Sequence, residues 1–156
     1  MSNKVNPIPD GHAGATPYLT IRAAAEAIEF YKKAFGAVQT VRLDMPDGRV
    51  GHAELKIAGA LVMLSGEFPD MEVWDPQTLG GSPVCIHIYV EDVDALAAQA
   101  VAAGIKVLRP VENQFYGDRG GKFEDPYGHI WWLATHTEDV SPEEMQKRAT
   151  ALFGGG

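Results

Sequence analysis

Two short runs of alternating character hold most of the reactive side chains in this chain. His52-Ala53-Glu54 sets an imidazole and a carboxylate two residues apart, and Cys85-Ile86-His87-Ile88-Tyr89 sets a thiol, an imidazole and a phenol at the same interval. Residues two apart on a strand point the same way, so His52 shares a face with Glu54, and Cys85, His87 and Tyr89 share another. Such groups can exchange protons with a bound molecule. Glu54 with His52, His87 or Cys85 could also hold zinc or another first-row cation with an open position. Equally, the histidines could do no more than donate hydrogen bonds inside a polar cavity. No His-x-x-x-His spacing, Ser-His-Asp set or phosphate-cradling glycine loop is present.

Aromatic residues accompany these runs. Trp131 and Trp132 must face opposite sides of a strand, and Trp132 is the one expected on the open face, where an indole can stack on a ring or a cation. Core packing is the alternative for it. Tyr116-Gly117-Asp118-Arg119-Gly120-Gly121 reads as a loop, either a lip that contacts a ligand through Tyr116 and Arg119 or a turn shaped by an Asp118–Arg119 pair. Cys85 is expected to be a small buried residue, or a reactive thiol if the cavity exposes it.

The elements that must position these groups are written twice. Pro17 to Ile21 is strand-like and leads into a helical pattern, Ala24 to Phe35, that stops at Gly36. Cys85 to Val90 leads in the same way into Val93 to Ala103, which stops at Gly104. Each half then ends in a parallel phrase, Gly59-Ala60-Leu61-Val62-Met63-Leu64 and Gly128-His129-Ile130-Trp131-Trp132-Leu133. Repetition of this kind predicts two copies of one βαβββ unit. The first helix carries Ala24, Ala27, Ile28, Tyr31 and Phe35 on one stripe, and the second carries Val93, Leu96, Ala97 and Ala100. Asp92 or Asp94 is placed to cap the second helix.

Val38–Leu43, Val50–Ile57 and Leu61–Leu64 read as strands of the first half; Lys106–Arg109, Lys122–Glu124 and the run ending at Ala134 read as strands of the second. Glu112 to Gly121 reads as a loop, and Glu67 to Ser82 as a linker too punctuated by proline and glycine for a regular element. Ser141-Pro142-Glu143-Glu144 predicts a terminal helix from Pro142, and Gly154-Gly155-Gly156 should fray. The expected organisation is a leader over 1–14, one domain over 15–137 built of modules 15–66 and 83–137 joined by a linker over 67–82, and a helical tail over 138–156.

The chain has 156 residues, 46% of them hydrophobic, enough for one sizeable core. No run approaches the ~18 apolar residues of a membrane helix, and the first residues lack an apolar signal region, so a cytoplasmic protein is expected. One cysteine rules out an intrachain disulfide. A net charge of −8 argues against nucleic acid as a partner; it serves solubility, and as an alternative it could draw a cationic small molecule.

Pro17-Tyr18-Leu19, Ala27-Ile28-Glu29-Phe30-Tyr31 and Phe35-Gly36-Ala37, with Tyr116 to Arg119 and Glu124-Asp125-Pro126-Tyr127-Gly128-His129, resemble the vicinal oxygen chelate superfamily. That superfamily includes glyoxalase I, extradiol dioxygenases, fosfomycin resistance enzymes and bleomycin resistance proteins, and the resemblance is to an uncharacterised bacterial glyoxalase-like branch. It implies an α+β fold of two tandem βαβββ modules forming a curved mixed sheet around a cleft, plus a C-terminal helix, and a homodimer. It also implies four metal-ligand positions, which fall on Thr16, Glu54, Cys85 and Trp132, and only Glu54 is a usual ligand there. The expectation is therefore a metal-independent, cofactor-free binding protein that encloses an aromatic or cationic ligand against Trp132, Tyr89, His87, His52 and Glu54, with Cys85, Tyr116 and Arg119 nearby. The alternative is an enzyme of the superfamily, a lyase, isomerase or dioxygenase, using a displaced zinc, nickel, manganese or iron on Glu54, His52 and His87, or using those residues as acid–base groups.

Overall fold

The computed structural model describes residues 5–155, so the first four residues of the expected leader and Gly156 lie outside the description. Residues 5–17 form no helix or strand. The elements then run β1 (Tyr18–Thr20), α1 (Ala24–Phe35), β2 (Val38–Asp44), β3 (Val50–Ile57) and β4 (Ala60–Ser65). After a 3-10 turn (Pro69–Met71) and a short helix α2 (Pro76–Leu79) come β5 (Cys85–Tyr89), α3 (Val93–Ala103), β6 (Lys106–Asn113), β7 (Asp118–Glu124), β8 (Ile130–His136) and α4 (Pro142–Phe153). This is an α+β fold of two βαβββ modules and a C-terminal helix. No helix among the described residues is long and apolar enough to cross a membrane.

Each module makes its own four-stranded mixed sheet, ordered β1-β4-β3-β2 in one and β5-β8-β7-β6 in the other. In both, the first and last strands pair in parallel and the remaining pairs are antiparallel. The repeat extends to register: Tyr18 pairs with Met63 and His87 with Trp132, and the two pairs have the same separation along the chain. Gly36 and Gly104 end α1 and α3 at φ 67° and 110°, a region closed to most side chains.

Two expectations need correcting. Glu112 to Gly121 is not a loop, because β6 and β7 extend through most of it and leave a turn of only residues 114–117. Pro110 is accommodated where the β6–β7 register shifts. Residues 67–82 are not wholly irregular, since they contain the 3-10 turn and α2; Glu72 ends the turn at φ 58°.

The chain divides into two compact units, Met1–Lys32 with Gly36–Asp75, and Lys33–Phe35 with Pro76–Gly156. In the first, Leu19, Ile21, Ile28, Ala53, Leu55, Val62 and Leu64 are buried. Buried Asp75 closes this unit by accepting from the Arg22 backbone N–H at 2.9 Å and from its guanidinium at 3.1 and 3.3 Å. In the second, α3 lies on β6 and β8 with Val93, Ala97 and Ala100 buried beneath it. Trp131 is fully buried there, its ring 4.8 Å from that of Phe35. Its indole N–H donates to Asp125 Oδ2 at 2.9 Å.

Capping follows the sequence. Asp92 caps α3 by accepting from the Ala95 N–H at 3.0 Å, and Ser141 caps α4 by accepting from the Glu144 N–H at 3.2 Å. Arg148 pairs α4 with Glu138 at 2.7 Å, and Phe153 meets Phe115 edge to face at 5.8 Å, so this helix is tied to its own unit.

Candidate functional site

In the first unit, alternation along β3 brings His52 and Glu54 to one face, as expected, and β1 adds Tyr18 beside them. His52 Nδ1 lies 2.8 Å from the Tyr18 hydroxyl and His52 Nε2 lies 3.3 Å from Glu54 Oε1. A fourth member comes from outside the sheet: His12 Nε2 lies 3.2 Å from the same Glu54 oxygen, and its Nδ1 lies 3.0 Å from the Asp10 carbonyl oxygen. The hydrogen bond from His12, reinforced by that from His52, holds the Glu54 carboxyl below the usual glutamate range despite partial burial. Reciprocally, Glu54 and the Asp10 carbonyl push His12 above its ordinary value.

Tyr18 also lines an open cavity of about 510 Å³ in this unit, with Thr20, Met45, Gly51, Ser65, Phe68, Met71, Glu72, Val73 and Trp74 around it. Its walls come from β1, the β2–β3 turn, β3, β4 and the segment after β4. Glu72 is the one charged side chain among these residues. Arg49 stands over the Phe68 ring at 4.6 Å and is itself paired with Asp47.

In the second unit, Cys85, His87 and Tyr89 lie exposed along one face of β5, with buried Ile88 behind. His87 stacks on Tyr89 at 4.7 Å between centroids and lies 6.3 Å from Trp132, its register partner on β8. Trp132 is half-buried against Gly120, and its Nε1 has no hydrogen-bond partner among the described residues. Tyr89 donates to Asp118 Oδ2, and this hydrogen bond raises the phenol to about 12. Asp118 Oδ1 also takes His136 Nδ1 at 2.8 Å, and His136 Nε2 reaches Asp139 at 2.8 Å, which raises His136.

The remaining expected residues separate from these sets. Cys85 is exposed, not buried, and partial desolvation pushes its thiol up, away from reactivity. Asp118 and Arg119 do not pair. As neighbours on β7 they face opposite ways, and Arg119 makes a bidentate pair with Asp94 of α3 at 2.7 and 2.8 Å. Tyr116 is half-buried in the turn before β7, edge to face with Phe115.

The metal positions also change. Thr16 precedes β1, and Glu54 is not equivalent to Trp132. Trp132 lies on β8, whose place in its sheet belongs to β4 in the first, and there Met63 neighbours Glu54. A threonine, a thioether, a thiol and an indole do not make a site for a hard divalent cation. Among the described residues, no group of three or more His, Cys, Asp or Glu is arranged to hold a metal.

Several of these residues escape a reading by pattern. His12 sits in a stretch without periodicity. Met71 and Trp74 fall within the linker, where the signal was their large apolar side chains between prolines. Asp118 and His136 are far apart in sequence and become neighbours only through β7–β8 register.

The chain is 44% identical over 143 residues to Uncharacterized protein Rv0887c of Mycobacterium tuberculosis (strain ATCC 25618 / H37Rv), covering 90% of this chain and 84% of the relative. Among solved structures it resembles TioX from Micromonospora sp. ML1, with a TM-score of 0.60, 24% identity, and 79% and 99% of the two chains covered. It also resembles the genomically encoded fosfomycin resistance protein FosX from Listeria monocytogenes, with a TM-score of 0.59, 16% identity, and 85% and 96% covered. At such identities these structures speak for the fold alone. The family model described as Glyoxalase/Bleomycin resistance protein/Dioxygenase superfamily matches residues 11–133, most of the described sequence, and the chain belongs to that superfamily.

Proposed function

We propose that this chain is a small-molecule binding protein that takes an aromatic or cationic ligand and works without a resident metal. The cavity of the first unit carries the reading. Its volume of about 510 Å³ suits a small organic molecule. Tyr18, Phe68 and Trp74 offer ring faces, and Met45 and Met71 offer adaptable thioether walls. Glu72, the sole charge on the lining, favours a cation. A stacked cation adds about 0.5–2 kcal/mol, so most of the affinity must come from enclosure. Trp132, with His87 and Tyr89, offers a second aromatic surface for the same class of ligand. The identities of Thr16, Met63, Cys85 and Trp132 support the absence of a metal from the function.

Benzamidine, a planar aromatic cation, tests this reading through quenching of tryptophan fluorescence. Trp74→Ala should weaken binding several-fold if the cavity is the site, and Trp132→Ala should do so if the second surface takes part. Saturable binding that neither substitution touches, or no binding at all, overturns the proposal.

A second reading is an acid–base enzyme, favoured by the line from Tyr18 through His52 to Glu54, whose first member faces the cavity. Turnover of a bound compound, abolished by His52→Ala without loss of affinity, would decide for it. We also propose a symmetric homodimer, supported by the exposed Leu152 and Phe153 at the end of α4.

A further inference from the structure

Proton counting at His12 exposes a site that the cavity reading leaves unused. The neighbours of its two ring nitrogens are the Asp10 carbonyl oxygen at 3.0 Å and Glu54 Oε1 at 3.2 Å. A carbonyl oxygen and an ionised carboxylate can only accept, so both nitrogens must carry hydrogen and the ring must be an imidazolium. His52 is under no such demand. The Tyr18 hydroxyl can donate to its Nδ1 while its Nε2–H donates to Glu54, which a neutral ring satisfies. His12 therefore supplies the positive charge that Glu54 meets. Among the described residues, only His12 and His52 lie within ion-pair distance of Glu54, and no lysine or arginine does.

We propose that Glu54 is a cation-binding subsite of the first unit, that His12 fills it in the ligand-free chain as an internal imidazolium, and that an organic cation with N–H donors takes the subsite by displacing His12. The proposal rests on the reading of this unit as a binder of small cationic molecules, and it adds to Glu72 of the cavity a second carboxylate that receives a charge. His12 suits the part of a displaceable occupant because residues 5–17 form no helix or strand that would have to break. Glu54 stays at its post on β3, paired on both sides by β2 and β4. The groups facing His12 are Glu54 and His52 of β3, Tyr18 of β1 through His52, and the Asp10 carbonyl. Of these, Glu54 is the one whose charge the hydrogen-bonding pattern calls for. The ligand class follows from the occupant: a flat, delocalised cation such as an amidinium, a guanidinium or an imidazolium.

Competition gives the test a sign. Below its raised pKa, His12 is charged and opposes the incoming cation; above it, the ring loses one of its two bonds and yields. Benzamidine stays cationic throughout, and benzamide is its uncharged counterpart of the same shape. Titrations of the full chain between about pH 5.5 and about pH 8.5 should show benzamidine binding tighten as pH rises through the His12 transition. His12→Ala should bind benzamidine roughly 3- to 10-fold more tightly than the native chain at the acid end and should lose the rise. His12→Lys, which keeps a cation there at every pH, should bind weakly throughout, and benzamide should distinguish none of the three. If benzamidine binds and His12→Ala leaves its affinity and pH profile unchanged, or weakens it, the subsite is wrong while the binding reading stands. If benzamidine binds none of the three proteins, both fall. Stoichiometric zinc lost on His12→Ala would also overturn the subsite, because a metal would then hold Glu54.

Discussion

Tyr89 donates its phenolic proton to Asp118, so an exposed ring on the face of β5 is anchored to a buried carboxylate on β7. That bond stabilises the neutral phenol, because phenolate would lose the proton that it shares and face an anion. Tyr89 should titrate near 12, well above the ordinary tyrosine value of 10.0. Asp118→Asn should return it toward the ordinary value in an ultraviolet difference titration. An unchanged titration would show that the hydrogen bond does not control this ring. The same substitution should lower His136, which is raised chiefly by its hydrogen bond with Asp118.

Gly120 is the floor under Trp132. A Cβ placed there would lie 2.7 Å from Trp132 Nε1 and 2.8 Å from the Leu133 carbonyl oxygen, and the second of these is backbone that cannot swing aside. Gly120→Ala should cost about 1–3 kcal/mol in denaturant unfolding and should displace the Trp132 ring. Gly155→Ala, where nothing lies within 4 Å, should leave stability unchanged and serves as the control. Equal stability of the two variants would mean that Trp132 does not rest where the structure has it.

The His12–Glu54 pair should be pH-limited on both sides. His12 is raised, so its contribution to stability is full below its ordinary value of 6.5 and fades as pH rises through the raised value. Glu54 is lowered, so its contribution is present above its ordinary value of 4.5 and fades as pH falls through the lowered value. Protection of the amides of residues 5–17 from hydrogen exchange, taken relative to the intrinsic rate at each pH, should be greatest between those limits and fall on either side. His12→Ala should abolish the alkaline limb; persistence of that limb would assign it to another group.

The proposed homodimer should sediment at twice the chain mass at micromolar concentration. Leu152→Asp together with Phe153→Asp should return it to a monomer if the end of α4 forms the contact. A native chain that sediments as a monomer removes the dimer from the proposal.

The fold was legible wherever a local pattern had a single physical cause. Gly36 and Gly104 ended their helices as positive-φ stops, Ser141 and Pro142 opened α4 as a cap and a first-turn proline, and β3 ran from Val50 to Ile57 as alternation required. Gly120 and Gly121 misled because glycine has two uses. Here it makes room, for the indole of Trp132 in one case and for the backbone at Arg109 and Val111 in the other, and it does not make a turn. Within the candidate site, alternation correctly paired His52 with Glu54 and lined up Cys85, His87 and Tyr89. It missed His12, because a residue outside any element has no period to betray its direction. The family resemblance matched Glu54 to Trp132, since strand order, which sets equivalence between the two sheets, is decided by pairing across long sequence separations.

Asp75, the last residue of the first unit, is held by Arg22, which follows its first strand. A segment whose last residue is clasped just beyond the end of its first strand can be copied or spliced in tandem without drawing the chain across the unit. That geometry is a precondition for a chain built by duplication.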